Sequence, residues 1–211
     1  MVEQYGPYSP DSEEGYFTVK NPAFQIGAGF STFLSNNLEI HLEGVYTYNS
    51  FRYSGLQHGF ALVNYKETHQ KIEIPLSFTL DLGGEKWKPY LRLGASYGML
   101  LSAVIDYKRT YVNTGDVFYS PVQSAGNNII EKRNEYSFSV VGGGGIKYKT
   151  GRGDLFFDLR YYYALSDMVN PDSRWDVESA FNYYYADSDF MLDYFAFSLG
   201  FRYSLYRLKN L

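Results

Sequence analysis

Residues 71–101, KIEIPLSFTLDLGGEKWKPYLRLGASYGMLL, alternate apolar and polar, turn once, and alternate again. A two-residue period belongs to a β-strand whose two faces meet different surroundings. Two such runs around Gly83-Gly84-Glu85-Lys86 make an antiparallel hairpin, because glycine supplies the backbone angles a tight turn needs. Ile72, Ile74, Leu76, Phe78 and Leu80 share one face of the first run. Lys71, Glu73, Pro75, Ser77, Thr79 and Asp81 share the other. In the second run Leu91, Leu93, Ala95, Tyr97 and Met99 oppose Arg92, Gly94, Ser96 and Gly98. What remains to be decided is which face is wet.

The same period predicts seven strands, near 23–34, 38–53, 61–82, 87–111, 134–149, 153–166 and 191–207. Short turns fall at Ser35-Asn36-Asn37, 83–86 and Thr150-Gly151-Arg152. Long polar connections fall at 54–60, 112–133 and 167–190. Short turns on one rim and long loops on the other describe a transmembrane β-barrel.

Side-chain size decides the wet face. At 155–163, Leu155, Phe157, Leu159, Tyr161 and Tyr163 oppose Phe156, Asp158, Arg160 and Tyr162. At 195–205, Phe195, Phe197, Leu199, Phe201, Tyr203 and Leu205 oppose Ala196, Ser198, Gly200, Arg202 and Ser204. Small residues with scattered charges of both signs suit the crowded interior of an eight-strand barrel. The continuous apolar face suits acyl chains. Aromatics near its ends, Tyr46, Tyr48, Trp87, Tyr90, Tyr161, Tyr163 and Tyr203, match the girdles at a membrane interface. Gly142 to Gly145 inside a strand pattern predict sharp curvature or a bulky neighbour lying over the backbone.

Composition agrees. Aromatics are 19% of 211 residues, and no apolar run approaches the about 20 residues of a membrane helix. A membrane strand needs only about 9–11 residues, half of them polar. The absence of cysteine excludes disulfides, thiolate metal sites and cysteine nucleophiles. A net charge of −4 without a basic patch gives no support to nucleic-acid binding. Met1-Val2-Glu3-Gln4 has neither the basic start nor the apolar core of a signal peptide.

Strand parity leaves one position open. Single-chain bacterial barrels have even strand numbers, and seven are visible. The strand at 23–34 runs into a short turn, so it descends from the long-loop rim and an ascending strand should precede it. GYFTVK (15–20) reads as an extension of the descending strand. The missing strand is expected upstream of residue 1 or from another chain. The domain reading is an N-terminal extension or extracellular loop at 1–22, a barrel at 23–207 and a tail at 208–211.

IEIPLSFTLDL followed by KWKPYLRLGASYGMLL resembles the outer-membrane β-barrel domain widespread in Bacteroidota, often called porin family or PorT family. VVGGGGIKYKTGRGDLFFDLRYYYAL is similar to that family's next hairpin, and FAFSLGFRYSL to its closing strand. The resemblance spans residues 24–205. It implies an all-β, eight-stranded antiparallel up-and-down barrel shaped like the small OmpA and OmpX barrels, placed in the bacterial outer membrane. Two departures stand out. The family's first strand is not visible, and the chain continues to Leu211 where the family ends on an aromatic residue. The family is functionally mixed, with one branch tied to type IX secretion and gliding.

Alternation aims Glu39, His41, Glu43, Glu73, Arg92, Asp158, Arg160 and Arg202 inward. A mixed network of this kind is expected to act as a paired plug, since an unpaired interior charge is very costly. The rival reading is a polar path around His41. The loop at 167–190 carries Trp175, Tyr183, Tyr184 and Tyr185, a candidate docking surface for a partner. No serine is positioned by sequence beside His41, and no catalytic carboxylate pair emerges. The expected role is therefore a non-enzymatic scaffold or accessory subunit of an outer-membrane assembly, related to secretion or transport. A small-solute or ion pore and a lipid-modifying barrel enzyme are the alternatives. No cofactor or metal is expected. The expected partners are the lipid bilayer and lipopolysaccharide, other outer-membrane subunits, or a strand from another chain.

Overall fold

Alternation on this scale builds one antiparallel sheet, because each strand must pair on both sides to satisfy its backbone. The computed structural model describes residues 16–18, 23–57, 61–111, 121–173 and 190–204. The strands are β1 (Tyr16–Thr18), β2 (Phe24–Phe33), β3 (Leu38–Gln57), β4 (Ala61–Asp81), β5 (Trp87–Tyr111), β6 (Val122–Asn128), β7 (Tyr136–Lys149), β8 (Gly153–Ala164) and β9 (Tyr194–Tyr203). A 3-10 turn, Ile130–Lys132, follows β6. The described residues contain no α-helix.

Seven of these positions make the wall. β1 and β2 lie end to end along the same edge of β3, with Thr18 opposite Arg52 and Phe24 opposite Tyr48. From there the order runs β3-β4-β5-β7-β8-β9, every pairing antiparallel. β6 adds only to the upper part of β5.

The sheet is strongly curled. β3 and β9 stand five places apart, about 24 Å in a flat sheet with the usual strand spacing. Yet Arg202 Nη1 on β9 lies 2.5 Å from Glu39 Oε2 on β3. Only a half-closed or closed wall permits that contact.

Side chains divide as their period demands. Ile74, Leu76, Phe78, Leu91, Leu93, Phe157, Leu159, Phe197 and Leu199 cover the outside, while Arg92, Lys147, Asp158 and Arg160 are buried inside. Outward apolar residues run from Ile72 on β4 to Leu82 just past its end, and above them come Gln70, Thr68 and Lys66. That band, eleven residues long, is the length a tilted membrane strand requires.

Three local expectations change. The connection at 54–60 is not a long loop: β3 and β4 stay paired up to Gln57 opposite Ala61, so the hairpin projects well beyond the apolar band. The connection at 112–133 contains β6. Tyr90 does not join the aromatic girdle; it is almost wholly buried on the interior face. Its strand parity places it with Arg92, and its ring packs over the glycine run, where a Cβ on Gly145 would come within 2.6 Å of the Tyr90 hydroxyl.

β5 also carries a bulge. Lys71 faces Leu100 and Gln70 faces Ser102, which leaves Leu101 as the extra residue. The added residue reverses the alternation. Ala103 and Ile105 therefore join Leu100 on the interior face. With Phe51, Tyr65 and Ile129 they form an apolar cluster above the charged interior.

Candidate functional site

The interior is a column of ion pairs in layers, each drawing inward residues from several strands. At the short-turn end Lys147 Nζ donates to Asp81 at 2.7 Å and lies 3.0 Å from Glu39. Glu39 also accepts from Arg202, whose guanidinium pairs with Asp154 as well. In the middle Glu43 receives Arg92 at 2.7 Å and Arg160 at 2.7 Å. Asp158 lies 2.7 Å from Arg160 and 3.2 Å from Arg92. Arg92 donates to Ser77 as well. Higher up, Glu73 takes Lys71 at 2.9 Å, the Tyr194 hydroxyl at 2.5 Å and the Thr47 hydroxyl at 3.1 Å.

All eight inward residues named from the sequence point into this column. Glu43, Arg92, Asp158 and Arg160 interlock, Glu39 pairs with Arg202 in the layer nearer the short turns, and Glu73 stands in the layer above with Lys71. His41 touches Glu39 at 3.2 Å and the Thr79 hydroxyl at 2.8 Å. Serines do stand beside His41, Ser31 opposite it on β2 and Ser77 opposite it on β4, but the hydroxyl bonded to its ring is that of Thr79, and Ser77 accepts from Arg92 instead. Both ring contacts, to Glu39 and to Thr79, use Nε2. A hydrolytic triad needs the acid on one ring nitrogen and the nucleophile on the other, and Thr79 is fully buried. Trp175, Tyr183, Tyr184 and Tyr185 lie outside the described residues.

Above the apolar band a second buried knot closes the column. Arg133 donates to Glu67 through Nε at 2.5 Å and Nη2 at 2.8 Å, and His69 Nε2 lies 2.5 Å from the same carboxylate. Burial alone would raise the Glu67 pKa. The His69 imidazole and the Arg133 guanidinium overcome it and hold the carboxyl at about 2. The segment 129–134 is thereby tied across the top of the interior.

A family model for the outer membrane protein beta-barrel domain matches residues 4–170 of the 211. The chain belongs to that family. Its apolar band therefore faces the lipid of the bacterial outer membrane, and the rim of short turns faces the periplasm. Neither the curated proteins nor the solved structures gave a match.

Sequence reasoning missed several members of this outer-membrane barrel's interior. Lys71 and Asp81 share the polar face of β4, so their inward aim was legible though their partners were not. Lys147 follows the glycine run with the right parity. Arg133 gave no signal, because it lies in a connection where no period applies.

The wall has a seam. Among the described residues β2 pairs only with β3 and β9 only with β8. Phe30 on β2 is 80% exposed and Leu199 on β9 81%, against 45% for Leu76 and 44% for Phe78 in mid-sheet. Six antiparallel steps separate the two edges, so β2 and β9 run in the same direction. One strand running the opposite way fits between them antiparallel to both. Small residues face the interior beside it: Gly27, Gly29 and Ser31 on β2, Ala196, Ser198 and Gly200 on β9.

Proposed function

We propose that this barrel is a non-enzymatic scaffold or accessory subunit of an outer-membrane assembly, of the Bacteroidota PorT-like kind. In this reading the seam between β2 and β9 is completed by an eighth strand, supplied within that assembly. The observation that carries the reading is the pair of same-direction edges left without partners among the described residues. Unpaired backbone groups in hydrocarbon cost several kcal/mol each, so lipid selects for a partner strand at such an edge.

The filled interior speaks against conduction. Eight strands leave room only for side chains. Here those side chains are cross-linked ion pairs beneath an apolar cluster. The contacts of His41 speak against hydrolysis, since the one hydroxyl bonded to its ring among the described residues, that of Thr79, is buried and shares Nε2 with the acid.

Extraction in mild detergent tests the assignment. The barrel is expected to run in a larger complex and to separate from it only under conditions that break strand pairing. A lone, fully closed monomer after mild extraction, or steady conductance in a planar bilayer, contradicts it.

A further inference from the structure

The outward face of the β3-β4-β5 sheet changes character just above the apolar band. Phe24 stacks on Tyr48 with ring centroids 5.3 Å apart, and the Tyr46 hydroxyl donates to Gln70 at 3.0 Å. These residues mark the upper aromatic belt. One pleat higher the Thr68 hydroxyl meets that of Ser50. One pleat above that, Arg52 stands directly opposite Lys66. Lys108 faces the same side on β5, opposite Asn64 and diagonal to Lys66.

Two cations opposite one another on a sheet repel, their Cβ atoms about 4.5–5.5 Å apart. Inside this barrel Lys71, Arg92, Lys147, Arg160 and Arg202 all have carboxylate partners. Arg52, Lys66 and Lys108 have none among the described residues. The nearest acid by register is Asp106, opposite Lys66, and its Oδ1 is taken by the Gly126 N–H at 2.8 Å. A fold that pairs its interior cations so thoroughly leaves these three without a carboxylate among the described residues. They sit on the long-loop side, at the height of outer-leaflet headgroups, and their flexible stems can reach down to the belt.

We propose that Arg52, Lys66 and Lys108 bind the phosphate of an outer-leaflet lipid headgroup, the chemistry carried by the anchor of lipopolysaccharide. The phosphate sits between Arg52 and Lys66 and turns their repulsion into a bridge. Arginine supplies a forked pair of donors and lysine a point charge. The Thr68 hydroxyl, which donates to the buried Ser50, stands one pleat below.

The test is thermal unfolding of the purified chain in a neutral detergent. Three additions are compared: a phosphorylated lipid A-type glycolipid, the same glycolipid without phosphate, and inorganic phosphate. The expected result is a raised midpoint with the phosphorylated glycolipid alone. The variant Arg52→Gln/Lys66→Gln loses that shift, while without lipid it is as stable as the native chain or more so, because the repulsion is gone. Lys86→Gln/Arg152→Gln on the opposite rim keeps the shift. Lys66→Gln alone provides the same readout should the double variant not fold. The proposal is overturned by an unshifted native chain, by full retention of the shift in Lys66→Gln and the double variant, or by an equal shift from the dephosphorylated glycolipid. Inorganic phosphate reproducing the shift also overturns it, since the site would then be one for free anions.

Discussion

Arg160 reaches across the barrel interior to Glu43 with two contacts of 2.7 and 3.1 Å, although 117 residues separate them in the chain. Arg92 reaches the same carboxylate from another strand. Glu43 is therefore the point at which the curl of the sheet is fastened. Glu43→Ala leaves two buried guanidinium groups facing one remaining acid, Asp158. Breaking a buried pair in this way costs about 3–5 kcal/mol. Urea unfolding from lipid vesicles should show that loss. Replacing Glu43, Arg92, Asp158 and Arg160 together by apolar residues of similar volume should come out near neutral.

Gly145 and Gly142 separate two explanations of the glycine run. A Cβ on Gly145 would lie 2.3 Å from the Phe157 carbonyl and 2.6 Å from the Tyr90 hydroxyl, whereas one on Gly142 meets nothing within 4 Å. Gly145→Ala is expected to lose about 1–3 kcal/mol through overpacking. Gly142→Ala should be tolerated. Equal effects in the unfolding assay would mean that the glycines serve curvature alone.

Glu67 makes the extramembrane knot acid-sensitive. Its carboxyl is held at about 2, below its ordinary 4.5. A depressed folded-state pKa contributes stability that is complete above the ordinary value and is lost as pH falls from about 4.5 towards 2. Hydrogen exchange of segment 129–134 should accelerate across that window. Glu67→Gln should remove the pH dependence and leave the segment poorly protected throughout, because Arg133 loses its charged partner.

The wall was legible because its period is strict. β4 keeps one apolar and one polar face for its whole length within the band, so the inward aim of Glu73, Ser77, Thr79 and Asp81 follows from counting. Which charges meet was not legible. Lys147 and Asp81 are 66 residues apart, as are Arg133 and Glu67, and only the curl of the sheet brings them together. The bulge at Leu101 was hidden too. One extra residue reverses a face, and apolar residues stand on both sides of it. Tyr90 was misassigned because an aromatic near a strand end fits either a membrane girdle or a lid over glycine, and only parity separates them. The connection at 54–60 was read as a loop for its polar composition. Outside the membrane a paired strand has no need of an apolar face.

The seam admits the most direct test. A photo-crosslinking residue at Leu199, on the β9 edge, is compared in intact membranes with one at Leu93 in mid-wall, both outward-facing. The account predicts that Leu199 captures a polypeptide segment, mapped by mass spectrometry to one strand of alternating apolar and small polar residues, while Leu93 captures lipid. Capture of lipid alone at both positions would contradict it.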